Sequence, residues 1–145
     1  MEWKDEFSVG IPEIDAQHQT LAGCIALVQD AVKSQQRWSA AHSALVQLAD
    51  FVRIHFAVEE SLMRTRGHPE LGRHIREHMD FADELRRLQE GALRVDVSEE
   101  MVAFIQTWMH EHILTSDKHY AAYLPTAGVV RTVQSELSNR STDGP

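Results

Sequence analysis

Residues 71–88 read LGRHIREHMDFADELRRL. Steps of three and four through this stretch select Leu71, His74, His78, Phe81, Leu85 and Leu88, one stripe of an α-helix that is apolar except for two histidines. The same spacing selects Ile14, His18, Leu21, Ile25, Val28 and Val32 upstream, then Leu45, Leu48, Val52, His55, Glu59 and Leu62, and downstream Met101, Ile105, Trp108 and His112. No segment alternates as a half-buried strand would. Gly67 and Pro69, then Gly91 with the RVDVS segment, then Leu124, Pro125 and Thr126 interrupt the periodicity. Helices are therefore expected near residues 16–36, 39–64, 69–90 and 98–120. Asp15, Ser39 and Ser98 would be N-caps, Gly67 would follow the second helix, and Pro69 would occupy the first turn of the third. Four such helices with short connections predict an all-α, antiparallel up-down four-helix bundle over residues 1–125. The remainder, 126–145, ends in SNRSTDGP and is expected to be a partly disordered tail, with Val129, Val130, Val133 and Leu137 able to form one short amphipathic turn or two.

A chain of 145 residues can bury a core without a structural metal or disulfides, so a metal here would serve chemistry more than folding. The 14 Lys and Arg against 22 Asp and Glu give a net charge of −8, and no basic cluster is present to follow a phosphate backbone or an anionic bilayer. Nucleic acid is not an expected partner, nor is membrane insertion: no run approaches the roughly 18 apolar residues a span needs. Cys24, the only cysteine, excludes an internal disulfide and reads as a small buried apolar residue. The acidic N-terminus MEWKDEF lacks the basic start and apolar run of a secretory leader, so the expected setting is soluble and cytoplasmic.

Histidine is the outlier of the composition, with nine copies. Five of them, at 18, 55, 74, 78 and 112, lie on the four inner stripes together with Glu59. An ionised carboxylate buried without a partner costs several kcal/mol, and no Lys or Arg lies on those stripes to face it. A bound metal meets that need. His55 with Glu59 and His74 with His78 are i, i+4 pairs that project from successive turns toward one point. Asp117 lies five residues beyond His112, about 140° round a straight helix. Either it is a solvated residue near a helix end, or the backbone at Leu114, Thr115 and Ser116 loosens, as in a π-bulge, and brings it to the cluster. Five imidazoles and two carboxylates exceed what one tetrahedral zinc accepts. They suit two octahedral ions that share both carboxylates and a bridging oxygen, an arrangement that leaves one coordination position open for a small diatomic ligand. Ligands of this kind suit iron among several first-row ions, so a di-metal site in the bundle core is expected without its metal being fixed by spacing.

Taken in order, VGIPEIDAQHQTL with His18, HFAVEESLM with His55 and Glu59, HIREH with His74 and His78, and WMHEHILTSDKHY with His112 and Asp117 resemble the hemerythrin family in its single-domain bacterial form. The resemblance runs from Trp3 to about Tyr123 and fills all seven metal-ligand positions. It implies two iron ions, ferrous or ferric, joined by a bridging oxo or hydroxo group, and reversible binding of dioxygen for storage, transport or delivery. It places His74, His78 and His112 on one iron, His18 and His55 on the other, and Glu59 and Asp117 between them. An oxygen-consuming enzyme or a reductase would be the partner, of unspecified identity. Where the family commonly carries a leucine over the oxygen site, this chain has Met109, and a dry pocket of Met109, Trp108, Ile113, Phe56 and Ile25 is expected, unless these are simply core residues.

Two other classes of function compete, a sensing module and an enzyme, either a zinc hydrolase or a di-iron oxidase or peroxidase, the last disfavoured because the chain contains no ExxH motif. An oxygen- or redox-sensing module would use the same bundle to drive an output domain. A zinc hydrolase would use the HxxEH pattern of His74, Glu77 and His78, with Glu77 as general base. With the other ligands counted, Glu77 is read as a surface residue. His42, His68, His110 and His119 are read as solvent-facing, and Trp3 as packing the N-terminal segment on the bundle.

Overall fold

The computed structural model describes residues 1–34, 38–92 and 97–124; the expected tail at 126–145 lies outside them. A 3₁₀ turn, Asp5–Phe7, leads into α1 (Pro12–Lys33), α2 (Trp38–Thr65), α3 (Leu71–Gly91) and α4 (Glu99–His112). A π-helical turn, Ile113–Asp117, then continues directly into α5 (Lys118–Tyr123). Each long helix packs on the two beside it, α1 on α2 and α4, and α3 on α2 and α4, which is the four-helix bundle the stripes predict. No strand occurs among the described residues, and no helix there is long and apolar enough to cross a membrane.

Local chemistry explains where the boundaries fall. Ser98 caps α4 as expected, its Oγ accepting from Met101 N at 3.2 Å. After α2, Gly67 adopts φ 65° and the chain reverses with His68 N on Met63 O at 2.9 Å and Gly67 N on Arg64 O at 3.1 Å. That bond pair satisfies two end carbonyls and requires the left-handed conformation glycine tolerates. Three expected termini are corrected. α1 begins at Pro12, whose fixed φ suits a first turn, so Asp15 lies inside the helix. Its carboxylate instead accepts from Ser8 Oγ at 2.6 Å and Val9 N at 2.7 Å, fastening the N-terminal segment to the helix. Ser39 is inside α2, which starts one residue ahead of it. Pro69 precedes α3 by two residues, where the His68 imidazole accepts from Glu70 N at 3.1 Å.

The core follows the stripes through the middle of the bundle and departs from them at the ends. Ile14, Leu21, Ile25, Val28, Leu45, Leu48, Val52, Phe81, Leu85 and Ile105 are buried, whereas Val32, Leu62, Leu71 and Leu88, near helix ends, are half-buried. On α4 the buried line is Val102, Ile105, Met109 and His112, so Met101 and Trp108 sit at its edge. Cys24 is half-buried beside the core rather than within it, and burial pushes its thiol pKa up. Trp3 packs on the bundle as expected, edge-on to Phe7 at 5.7 Å. Of the histidines expected in solvent, only His119 is exposed. His68 is buried against Tyr123 at 4.6 Å between ring centroids, and His42 and His110 are half-buried, His110 meeting Phe7 edge-on at 5.2 Å.

Candidate metal centre

Seven polar side chains, His18, His55, Glu59, His74, His78, His112 and Asp117, are buried together in the apolar bundle. The i, i+4 spacing brings His55 Nε2 to 3.6 Å from Glu59 Oε1 on α2, and the rings of His74 and His78 to 4.4 Å on α3. The π-helical turn supplies the last member. Widening the turn after His112 by one residue returns Asp117 to the inner face, with Oδ1 3.0 Å from His112 Nε2.

The two carboxylates each reach both sides of the cluster. Glu59 Oε2 lies 3.4 Å from His74 Nε2 and 3.3 Å from His78 Nε2, while Oε1 lies 3.6 Å from His55 Nε2 and 3.8 Å from His18 Nε2. Asp117 Oδ1 lies 3.0 Å from His112 Nε2 and 3.4 Å from His74 Nε2, while Oδ2 lies 3.2 Å from His18 Nε2. Two donor sets result: Glu59, His74, His78, His112 and Asp117, and His18, His55, Glu59 and Asp117, the donor atoms of each within 4.8 Å of one another.

The arrangement is poorly satisfied by the protein alone. His18 Nε2, His55 Nε2 and both Asp117 oxygens are buried without a hydrogen-bond partner. The Nε2 atoms of His78 and His112 face each other at 3.1 Å, where two lone pairs would repel unless a proton or a cation lay between them. The outer nitrogens explain which way the lone pairs point. Nδ1 of His55, His78 and His112 face Gln17 Oε1 at 2.8 Å, Glu60 Oε1 at 2.9 Å and Glu77 Oε2 at 3.2 Å, so a proton on each Nδ1 has an outward acceptor and Nε2 would be free for a metal. Inward imidazole nitrogens, two shared carboxylates and no thiolate fit a pair of oxygen- and nitrogen-loving cations.

The electrostatics agree. Burial raises the Glu59 pKa, but the His74 and His78 hydrogen bonds and the His55 imidazole outweigh it and hold the carboxyl well below the usual range. Asp117 is opposed by burial and by Glu59, yet the His112 and His18 contacts hold it down as well. Burial lowers His55 to about 4, whereas for His112 the Asp117 contact overcomes burial and raises it. The folded protein thus keeps two buried negative charges, a demand that cations meet.

Four residues around the cluster escaped the sequence reading. Tyr120 is buried and donates from its hydroxyl to Glu59 Oε1 at 2.9 Å; its place on the inner stripe of α5 was the available signal. Gln17 and Glu60 carried none, since each lies one residue before or after a member of the cluster and reads as outward. Glu77 is a correction: it is no free surface residue, for its Oε2 accepts from Ser116 Oγ at 2.5 Å and faces His112 Nδ1. Of the expected pocket residues, Ile25, Phe56, Met109 and Ile113 belong to one buried apolar cluster. Trp108 lies at its rim, stacked on His112 at 4.5 Å and on Phe81 at 3.9 Å, and Phe56 stacks on His78 at 3.7 Å.

Comparison with known proteins agrees with this geometry. The family model of the hemerythrin HHE cation-binding domain matches residues 9–124. A bacteriohemerythrin of Stenotrophomonas maltophilia is 32% identical over 82% of this chain and 78% of the relative, and one of Pseudomonas paraeruginosa is 30% identical over 98% and 89%. The crystal structure of a wild-type hemerythrin superposes with a TM-score of 0.79 at 27% identity, covering 84% of this chain and 95% of that one. The chain therefore belongs to the hemerythrin family, and its buried cluster of histidines and carboxylates could hold metal ions.

Proposed function

We propose that this chain binds dioxygen reversibly at a di-iron centre, in the service of oxygen storage, transport or delivery. His74, His78 and His112 would hold one iron, His18 and His55 the other, and Glu59 and Asp117 would bridge them beside an oxo or hydroxo group. The observation that carries the reading is the double reach of the two carboxylates, each presenting one oxygen to the three-histidine set and the other to the two-histidine set. Iron held by these residues would supply the electrons for reversible oxygen binding. His18 and His55 supply one imidazole fewer than the other set, so oxygen would be taken up on their side. Ile25, Phe56, Met109 and Ile113, all buried in one apolar cluster, exclude water and protons from the site. Tyr120, a neutral donor because burial and the Glu59 charge raise its pKa, holds one oxygen of Glu59 in place. Glu77 is turned to His112 and Ser116, which leaves the hydrolase reading without its general base. The test is anaerobic loading with ferrous iron followed by cycles of air and argon. A visible charge-transfer band that forms in air and fades under argon over repeated cycles is expected; a band that never reverses, or steady consumption of oxygen with a reductant, would overturn the reading.

A further inference from the structure

The outer nitrogens of the histidines are not treated alike on the two sides of the cluster. On the three-histidine side, His78 Nδ1 is 2.9 Å from Glu60 Oε1 and His112 Nδ1 is 3.2 Å from Glu77 Oε2, two carboxylates. On the two-histidine side, His55 Nδ1 is 2.8 Å from Gln17 Oε1, a neutral carboxamide. Glu77 is braced in its role. Ser116 Oγ donates to the same Oε2 at 2.5 Å, and Arg73 Nη1 stands 3.5 Å from Oε1. Ser116 belongs to the π-helical turn, so one carboxylate grips both the histidine before the turn and the turn that presents Asp117.

An imidazole that donates Nδ1–H to a carboxylate gains negative character and becomes a stronger metal ligand, and outer partners of this kind typically change metal affinity 10- to 100-fold. A hydrogen bond to a neutral amide oxygen is roughly half as strong as one to a charged acceptor. We propose that Glu60 and Glu77, set against Gln17, make the two metal positions electronically unequal, so that the more highly charged ion is favoured at the His74, His78 and His112 position. The inference rests on the dinuclear reading above. Glu60, Glu77 and Gln17 are positioning residues that act through the imidazoles. The glutamate in the HxxEH pattern thereby acquires a purpose other than general base: it serves a histidine of another helix, not the two that flank it in sequence.

The experiment loads the full chain with zinc, which is diamagnetic, and reads the imidazole Nδ1–H protons by NMR in the wild type and in Glu77→Gln, Glu60→Gln and Gln17→Glu. In the wild type the His78 and His112 protons are expected farther downfield than that of His55. Glu77→Gln should move the His112 signal upfield and leave His78 in place, Glu60→Gln should do the converse, and Gln17→Glu should move His55 downfield. In the iron-loaded protein, Glu77→Gln should favour the ferrous ion at the three-histidine position about tenfold, raising the lower one-electron midpoint potential by about 59 mV. Two bound zincs with equal signals, or an unchanged potential in both glutamine variants, would overturn this inference alone. Failure of the wild type to take up two zincs would overturn it together with the dinuclear reading. Should Glu77→Gln lose its helical circular dichroism, Glu60→Gln puts the same prediction to His78.

Discussion

Tyr120→Phe isolates the link between the cluster and the last helix. The ring is fully buried and stands 5.4 Å from His74, edge to face, so phenylalanine keeps the packing and removes only the hydroxyl. That hydroxyl makes the shortest contact to Glu59 Oε1, 2.9 Å, against 3.6 Å and 3.8 Å for the imidazoles of His55 and His18. A hydrogen bond to a charged group contributes about 1.5–3 kcal/mol, and its loss leaves a buried carboxylate oxygen with weaker partners. For a chain of this size, at about 4 °C per kcal/mol, the metal-free variant should melt roughly 6–12 °C lower. Urea unfolding of the metal-free protein near neutral pH gives the free-energy loss directly. In a Glu59→Gln background the acceptor is neutral and the same change should cost about half as much. A loss below about 0.5 kcal/mol, or an equal loss in both backgrounds, would refute a charged acceptor held by Tyr120.

The pH dependence of the metal-free protein follows from the buried groups. His55, lowered by burial to about 4 against an ordinary 6.5, stabilises the fold above pH 6.5 and ceases to as pH falls toward 4, a change of about 3 kcal/mol. Glu59 and Asp117, whose pKa values are lowered, lose their contribution on further acidification, while His112, raised, loses its own as pH climbs through its folded value. Urea titrations should therefore give a stability that falls steeply between about pH 6.5 and 4; a flat profile there would contradict the burial of a neutral His55. Met109 is fully buried in the apolar cluster, so Met109→Ala should cost about 2–5 kcal/mol and Met109→Leu under about 1.5 kcal/mol by thermal melts. In the iron-loaded protein Met109→Asn should hasten stopped-flow decay of the oxygenated spectrum, and unchanged lifetimes in both the Leu and Asn variants would remove Met109 from the pocket. Ser98→Ala deletes the cap of α4 and should cost about 1 kcal/mol in urea unfolding.

Much of the bundle was legible because its determinants are local. Periodicity at three and four residues needs only the chain itself, and it marked Ile14, His18, Leu21, His55, His74, His78 and His112 as inward-facing, where the structure buries them. Asp117 shows the boundary of such reasoning. Spacing alone left it between solvent and cluster, and the π-helical turn settles its position by adding one residue to the turn. What the spacing missed depends on contacts between elements. Gln17 and Glu60 are next to cluster residues in sequence, and on an ideal helix a neighbour points about 100° away. Only the bundle shows that α2 brings the His55 imidazole to Gln17 and α3 brings that of His78 to Glu60. Glu77 escapes the spacing for the same reason, since its partners His112 and Ser116 lie on the neighbouring α4 and the π-helical turn after it. Asp15 and Pro69 fit boundary rules by residue type, but Pro12 starts α1 and the His68 imidazole accepts from Glu70 N ahead of α3.

The claim beneath all of this is that seven buried side chains hold two metal ions in common. Native mass spectrometry after anaerobic loading with ferrous iron measures it directly. Two irons per chain are expected, with Glu59→Ala and Asp117→Ala each abolishing the paired state because each would remove a group shared by both ions. One iron per chain at saturation, or two irons retained in both alanine variants, would contradict it.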